Sequence, residues 1–294
     1  MRHWRSLVHQ MKLLSSDTIR RCIVALPGHA IITADYDQIE LRIAAALAGE
    51  QSLIEAAHKG QSLHKVAAIK LFGEKYTPDQ YRYTKNVNFG WLYGGGAATL
   101  AEQAGIPISD AAGIVKEYTA TFTSLSSYKR RNQAKVLKSA LSTLEYKAYR
   151  SLVSQLFLHR TDTKEGRYQR AVISREIERL CYRRLGTVVT PIYGRRLLVD
   201  AHKAYRATNY IIQSLARDIM ASGLLRVMED PELEPTALLP IHDEILGMAP
   251  IKDAERIARR YGEVMSTMLE GVPLTAQGKV YGRSWGHGYR TKSS

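Results

Sequence analysis

An aspartate lies where an apolar stretch gives way to a helical pattern. Asp35 follows a run that starts with Ile31 and Ile32, and helical spacing of apolar residues begins at Ile39. The β-branched run predicts a buried strand, and the later spacing predicts a helix. A carboxylate at such a junction is held by rigid backbone and can face a cleft. Because hard divalent cations prefer oxygen ligands, Asp35 is a candidate Mg²⁺ ligand.

A second acidic group lies about 200 positions downstream. His242, Asp243 and Glu244 stand between two short apolar runs. This pattern predicts a β-hairpin with the three polar residues at its tight turn. Only a folded sheet can bring Asp243 close to Asp35, so the pairing of these carboxylates is an expectation about tertiary structure.

A helix with an unusual stripe is predicted after Thr77, which fits an N-cap, and Pro78, which fits the first helical position. Every fourth residue then belongs to one stripe: Tyr81, Lys85, Phe89 and Tyr93. Steps of four residues keep side chains on one face of a helix. A cation between aromatic rings suits a nucleotide, with charge for the triphosphate and a flat face for base and sugar. The alternative is an amphipathic helix whose aromatic residues pack in the core.

The overall charge favours a polyanionic partner. The chain of 294 residues carries 42 Lys and Arg against 28 Asp and Glu, a net charge of +14. Nucleic acid is the commonest partner of such proteins, although a basic surface without a binding role is the alternative. An anionic membrane is disfavoured, because no basic amphipathic helix with an aromatic face is present in the sequence.

Several features predict a cytoplasmic protein. Cys22 and Cys181 are the only cysteines, which is typical of a reducing compartment. No apolar run approaches the ~20 residues needed to span a bilayer. The first residues also lack the apolar core of a signal peptide. We therefore expect no membrane association.

Residues 35–42 (DYDQIELR) and the His242-Asp243-Glu244 stretch resemble the first and last catalytic motifs of family A DNA polymerases, the DNA polymerase I type. Lys85, Phe89 and Tyr93-Gly94 match the fingers helix of that family. Residues 186–197 resemble its hairpin ending in Gly-Arg-Arg. The motifs occur in the family's order, and the overall pattern is phage-like. The expected location is accordingly the cytoplasm of a bacterial or phage-infected cell.

The resemblance implies a two-metal centre. Asp35 and Asp243 are expected to bridge two Mg²⁺ ions, and the main-chain carbonyl of Tyr36 is expected to hold the ion on the leaving group. Glu244 is a third catalytic candidate. His242, with Glu244, is expected near the primer terminus.

The resemblance also implies a nucleotide site. Lys85 is expected to neutralise the triphosphate, Phe89 to stack by the sugar and Tyr93 to lie beneath the templating base. Phe89 is further expected to disfavour dideoxynucleotides. Glu40 is expected under the sugar, where it would exclude ribonucleotides. His64 is expected near the phosphates.

One position departs from the family pattern. The family usually has an arginine four residues before the lysine, and this chain has Tyr81 there. Arg82 is the neighbouring candidate for the same phosphate contact. On the DNA side, Asn209 and Gln213 share a helix face and are expected to check the minor groove at the primer terminus. Arg196 is the further DNA-binding candidate.

The implied fold is α+β, with an antiparallel palm sheet, packed helices and an inserted, mostly helical fingers subdomain. Residues 17–50 and 186–294 are expected to form the palm, and residues 51–185 the fingers, with an insertion near 128–184. Residues 1–16 are unassigned. No stretch matches the family's thumb. The expected partners are primer–template DNA, deoxynucleoside triphosphates and a thumb-bearing upstream polypeptide.

The predicted activity is therefore DNA-directed DNA synthesis in replication, by two-metal transfer of deoxynucleotides to a primer 3′ end. Two alternatives stay open. The chain could be a truncated, weak or inactive DNA-binding remnant of such a polymerase. A metal-dependent nuclease is disfavoured, because it leaves the aromatic stripe without a role.

Overall fold

A computed structural model describes residues 20–286 of the chain. Residues 1–16, the first positions of the expected palm at 17–19 and the last residues from 287 onward lie outside the described part. The α-helices, in chain order, are α1 Ile39–Ala48, α2 Gln51–His58, α3 Leu63–Phe72, α4 Pro78–Leu92, α5 Ala97–Ala104, α6 Ile108–Thr121, α7 Thr123–Ala140, α8 Thr143–Leu158, α9 Lys164–Cys181, α10 Ala207–Glu229 and α11 Ala254–Met265.

The strands are β1 His29–Tyr36, β2 Leu185–Val189, β3 Arg196–Asp200, β4 Ala237–Ile241, β5 Glu244–Pro250, β6 Thr267–Leu269, β7 Val272–Leu274 and β8 Ala276–Gly282. Short 3₁₀ helices precede α10 and β4. The predicted α+β class is confirmed. By contacts the described residues divide into two compact units, one formed by residues 20–39 and 216–286 and the other by residues 40–215.

The first unit contains a four-stranded antiparallel sheet in the order β4-β5-β1-β8. Its central strand β1 is almost continuously buried, which matches the run of β-branched and small apolar residues that predicted it. Helix α11 covers the sheet with one apolar face, and that face includes Ile257, Tyr261 and Met265. The spacing of these residues by four is that of an amphipathic helix. Helix α11 therefore supports one face of the sheet.

The second unit is mostly helical. One of its clusters joins α7, α9, the β2–β3 hairpin and the start of α10 through Val136, Cys181, Val199 and Ile211. A second, aromatic cluster joins α4 to α6, because the ring centroids of Trp91 and Tyr118 are 5.5 Å apart. Together these clusters hold α4, the helix of the aromatic stripe, against its neighbours.

The start of α4 confirms the predicted cap. The Thr77 hydroxyl accepts from the Gln80 N–H at 3.2 Å, and the Gln80 side chain accepts from the Thr77 N–H at 2.8 Å. Pro78 is the first helical residue. This reciprocal pair satisfies two backbone donors that a helix start otherwise leaves without partners.

Residues 51–72 form two helices, α2 and α3, separated by a turn in which Gly60 has φ +64°. The Ser62 hydroxyl then caps α3 by accepting from the Lys65 N–H. The Gly and Ser that end and restart the helix were available as local signals. The assignment of ranges to palm and fingers stays a prediction. In residues 20–286 no helix combines the length and apolar character needed to cross a membrane.

Candidate active site

The carboxylates at the end of β1 and in the β4–β5 hairpin lie together in the first unit. Strands β1 and β5 pair so that Asp35 lies opposite Glu244. Paired Cα atoms of antiparallel strands are about 4.5–5.5 Å apart. One step further, the Tyr36 N–H donates to the Asp243 carbonyl at 3.2 Å. Main-chain pairing therefore gathers Asp35, Asp243 and Glu244, called here the carboxylate group, over a separation of about 200 residues in sequence.

The turn that carries this group is tight. His242 and Asp243 are the two residues between β4 and β5, and His242 has φ +56°. A positive φ at the first position of a two-residue hairpin suits the twist of the flanking strands. The His242 side chain is exposed. The predicted hairpin and its turn are thus confirmed, whereas the DNA contact of His242 stays a prediction.

The three carboxylates differ in environment. Glu244 is buried, and this burial raises the pKa of its carboxyl, against the opposing attraction of Arg20 and Lys279. Asp35 and Asp243 are only half-buried. A half-buried carboxylate can reach a ligand from solvent, whereas a buried one such as Glu244 is shielded from it. The two aspartates are accordingly better placed than Glu244 to contact a cation.

Tyr36 is anchored through its side chain. The ring is buried, and its hydroxyl donates to the Met265 carbonyl at 2.6 Å. Helix α10 passes so close that a Cβ on Gly223 would lie 2.6 Å from this hydroxyl. Glycine at 223 therefore makes room for the tyrosine, and the tyrosine fixes the end of β1. This anchor had no signal in the sequence.

The donors at this site are suited to a metal that is completed by its substrate. In the described part of the chain, no three His, Cys, Asp or Glu side chains are grouped to hold an ion by themselves. Mg²⁺ typically binds one or two carboxylates and takes its remaining oxygens from water and substrate phosphates. Two half-buried aspartates beside the Tyr36 backbone fit that pattern.

The stripe on α4 is exposed in the second unit. Lys85 is exposed, and Phe89 and Tyr93 retain 43% and 38% of their accessible surface. The opposite face of α4 is the buried one, with Val87 and Trp91. The aromatic residues of the stripe are thus available to a ligand, unlike core residues.

Tyr81 contacts the lysine of the stripe. The Lys85 ammonium lies 5.0 Å from the centre of the Tyr81 ring, within range of a cation–π interaction. Arg82 instead forms an exposed ion pair with Asp79 at 3.0 Å. Each side chain has a local partner within the first turns of α4. The phosphate contact predicted for Arg82 would require it to leave Asp79.

Tyr93 is the centre of a hydrogen-bonded network. Its hydroxyl donates to Glu40 Oε1 at 2.6 Å and accepts from Gln213 Nε2 at 3.1 Å. We call Glu40, Tyr93 and Gln213 the tyrosine network. Gly94 follows with φ +83°, and a Cβ there would lie 2.4 Å from the Tyr205 ring. Only glycine fits this turn. The turn therefore fixes the direction in which the chain leaves the helix at Tyr93.

His64 lies in a polar pair within the core. Only 5% of its surface is exposed, and its Nδ1 lies 2.7 Å from the Asn88 side-chain nitrogen. The His64 ring also approaches the Phe89 ring, with centroids 5.3 Å apart. Asn88 was not predicted as a site residue, although it directly precedes Phe89. The expected role of His64 at the phosphates stays a prediction.

Lys129 is a second residue that sequence reasoning did not identify. Its ammonium donates to the Trp91 carbonyl at 2.8 Å and lies 4.3 Å from the centre of the Trp91 ring. Burial lowers the pKa of Lys129 to about 8. A lysine at the last carbonyls of a helix satisfies an acceptor that lacks an intrahelical partner. Lys129 therefore fixes the end of α4 just before Tyr93.

The DNA-binding candidates lie on two elements of the second unit. Asn209 is half-buried and Gln213 is exposed, one turn apart on α10. Arg196 is exposed at the first position of β3, opposite Val189. Among residues 20–286 the structure brings Gln213 to Tyr93 and shows no such link for Arg196.

Comparison with known proteins decides the family. The model for DNA polymerase family A matches residues 10–287. The chain belongs to DNA polymerase family A. The DNA polymerase of Mycobacterium phage D29 is 34% identical over 276 residues, which are 92% of this chain and 37% of that polymerase.

Other similar proteins show the same partial coverage. DNA polymerase I of Chloroflexus aurantiacus is 30% identical over 278 residues, covering 91% of this chain and 25% of that enzyme. The solved polymerase domain of Pol1 from M. smegmatis, in complex with DNA primer-template and dNTP, has a TM-score of 0.68 and 25% identity. That likeness covers 92% of this chain and 42% of the other. This family A chain thus spans between 25% and 42% of the length of these proteins.

Proposed function

We propose that this family A chain carries the nucleotide-addition centre of a DNA-directed DNA polymerase. The observation that carries the proposal is the pairing of Asp35 with Glu244. In the adjoining turn, the Asp243 carbonyl accepts a hydrogen bond from the Tyr36 N–H. Family membership supports the same conclusion. The substrates are a primer–template and deoxynucleoside triphosphates, and the reaction is addition to the primer 3′ end in replication.

Asp35 and Asp243 would hold two Mg²⁺ ions, with help from the Tyr36 carbonyl. When bound, two such ions stabilise the attacking and leaving oxygens of the phosphoryl transfer. Because both aspartates are half-buried, each stays accessible to the ion. Glu244 is buried in the sheet beside them. Its role would be to position the two aspartates and not to coordinate an ion.

The exposed stripe on α4 would bind the nucleotide. Lys85 offers the charge for the triphosphate, and Phe89 and Tyr93 offer the flat surfaces. Electrostatic positioning of this kind is a major part of phosphoryl-transfer catalysis. Glu40 restricts the sugar, and its hydrogen bond to the Tyr93 hydroxyl fixes its carboxylate. Gln213 and Asn209 would read the minor groove at the primer terminus.

A further part of the proposal concerns a partner. The net charge of +14 attracts DNA phosphates without sequence preference. We propose that residues 1–294 by themselves bind duplex DNA in a salt-sensitive way, and that a thumb-bearing polypeptide strengthens this binding. Because each phosphate contact releases counterions, purely electrostatic binding weakens as the salt concentration rises.

Primer extension with single substitutions tests the centre. We expect Asp35→Ala and Asp243→Ala each to reduce nucleotide incorporation by about a thousandfold, equivalent to roughly 4 kcal/mol of barrier. Binding of primer–template should change little, because neither carboxylate attracts phosphate. Glu229→Ala, an exposed carboxylate at the end of α10, is the control. Near-normal incorporation by either aspartate variant would contradict the proposal.

A further inference from the structure

The hairpin formed by α8 and α9 carries a charged surface that the proposed function does not use. Its two helices are joined by a turn at residues 159–163. The hairpin is braced from within, because the Arg170 guanidinium donates to the carbonyls of Leu156 and His159 at the end of α8. Its outer surface is thus a stable feature of the second unit.

One face of α9 is basic and exposed. At about 100° per residue, its exposed cations fall within an arc of about 120°. We call this set the α9 basic face: Lys164, Arg167, Arg175 and Arg179. From first to last the four cations span about 22 Å along the helix axis. Glu178 is the one acidic residue within the same arc.

Three of the four cations have no ion-pair partner among the described residues. In residues 20–286, Lys164, Arg175 and Arg179 form no ion pair, whereas Arg167 donates to the Thr161 and Asp162 carbonyls. Other charges of the hairpin are paired, such as Arg160 with Asp162 at 2.5 Å. An array of like charges without partners repels itself, so a polyanion is the ligand that stabilises it.

Exposed aromatic rings accompany these cations. Tyr168 lies within the same arc of α9 and retains 63% of its surface, and Tyr182 just beyond the helix retains 63% as well. Phosphate contacts alone do not require aromatic residues. Cations interleaved with exposed rings are typical of surfaces on which the bases of a single strand stack.

We propose that the α9 basic face, with Tyr168, is a second nucleic-acid site that binds single-stranded nucleic acid. Lys164, Arg175 and Arg179 contact phosphates along the strand, and Tyr168 stacks on a base. Duplex DNA would leave the ring unused, because its bases are already stacked on each other. This site shares no residue with the carboxylate group or the α4 stripe, and it goes beyond the proposed polymerase function.

Fluorescence anisotropy with the full chain tests the site. The probes are labelled oligothymidylate, labelled oligouridylate and a blunt duplex, at salt concentrations from about 50 to about 200 mM. The test variant combines Lys164→Gln, Arg175→Gln and Arg179→Gln. The control combines Lys59→Gln, Lys70→Gln and Lys116→Gln, which removes the same charge from exposed positions of the same unit. Circular dichroism verifies that both fold.

We expect the test variant to bind a single strand at least tenfold more weakly than the control does. The slope of log affinity against log salt should fall by about 2, because each lost phosphate contact contributes about 0.7 for a single strand. Tyr168→Ser should weaken single-strand binding by fivefold or more, whereas Tyr168→Phe should retain it, since stacking needs only the ring.

Equal losses in the test and control variants would overturn the proposal, because the binding would then follow net charge alone. A loss of duplex binding as large as the loss of single-strand binding, with Tyr168→Ser unchanged, would also overturn it and indicate a duplex surface. A loss seen with either single strand supports it. Since the assay needs neither metal nor nucleotide triphosphate, failure of the polymerase proposal would leave this result unaffected.

Discussion

Asp35 and Glu244 are positioned by main-chain pairing, whereas Glu40, Tyr93 and Gln213 are positioned by hydrogen bonds between their side chains. In the first case the register of two strands decides which residues meet, and a side chain can be changed without moving the others. In the second case each side chain depends on its neighbour. The carboxylate group is therefore rigid by construction, and the tyrosine network can rearrange by breaking two hydrogen bonds.

This difference suits the two tasks proposed for them. Metal ligands need a fixed separation, and the backbone pairing of a sheet supplies it. A residue that must admit each new base needs alternative positions. Two exposed hydrogen bonds are a modest restraint, because a typical one contributes about 0.5–1.5 kcal/mol net. Substitutions should accordingly affect the carboxylate group through its backbone support and the tyrosine network through its side-chain hydrogen bonds.

The largest effect is expected where the backbone support of the carboxylate group is disturbed. In Gly223→Ala the added Cβ would lie 2.6 Å from the Tyr36 hydroxyl, which is buried and bonded to Met265. We expect a loss of about 2–3 kcal/mol in the free energy of unfolding, typical of overpacking a core, and a large fall in incorporation. Urea unfolding and primer extension measure the two effects.

Gly113→Ala is the matched control, because it is the same substitution inside a helix with no atom within 4 Å of the new Cβ. It should stabilise the protein by about 0.5–1 kcal/mol, the usual advantage of alanine over glycine in a helix. Equal effects of the two substitutions would show that the Tyr36 anchor does not support the site.

The sequence predicted these regions unequally, and the reason is physical. Strand β1, the start of α1 at Ile39 and the Thr77 cap depend on neighbouring residues, so local patterns predicted them. The meeting of Asp35 with Asp243 depends on sheet pairing between distant segments, and only the family resemblance predicted it. Contacts such as Gln213 with Tyr93, or Lys129 with Trp91, join residues dozens of positions apart through single atoms. Neither hydrophobic periodicity nor a capping residue predicts these contacts.

The next largest effect concerns the support of α4. Lys129 has a pKa of about 8 in the folded chain, below its ordinary value of 10.5. Between these values the unfolded chain binds more protons, so the contribution of Lys129 to the free energy of unfolding rises with pH from about 8 to 10.5. The rise should be about 1–2 kcal/mol, less than burial alone implies, because the Trp91 carbonyl and ring favour the cation.

Urea unfolding at several pH values, compared with Lys129→Met, measures this rise. In the variant it should be missing. Lys135→Met, an exposed lysine on the same helix, should retain it. The same pH profile in all three proteins would contradict the assignment of the rise to Lys129.

A smaller effect is expected for the sugar selectivity of the proposed site. Glu40→Ala would open space beneath the proposed sugar position and would remove the hydrogen bond from the Tyr93 hydroxyl to Glu40. We expect ribonucleotide use relative to deoxynucleotide use to rise about tenfold, equivalent to roughly 1.4 kcal/mol. Glu40→Gln retains the bulk and an acceptor for Tyr93, so it should change the ratio less. Single-nucleotide incorporation with matched triphosphates gives the ratio, and an active Glu40→Ala variant with unchanged selectivity would exclude this role.

The smallest effect should be the coupling within the tyrosine network itself. Tyr93→Phe removes the hydroxyl that links Glu40 to Gln213, and Gln213→Ala removes one of its partners. Because the bond between Tyr93 and Gln213 is exposed, each single change should cost less than about 1 kcal/mol of folding free energy, and the double variant should cost about 0.5 kcal/mol less than their sum. Unfolding of the four proteins of this cycle measures the coupling. A strictly additive result would mean that Gln213 does not hold Tyr93 in solution. The contrast with the carboxylate group would then be greater still, since the tyrosine would have Glu40 as its single partner in the network.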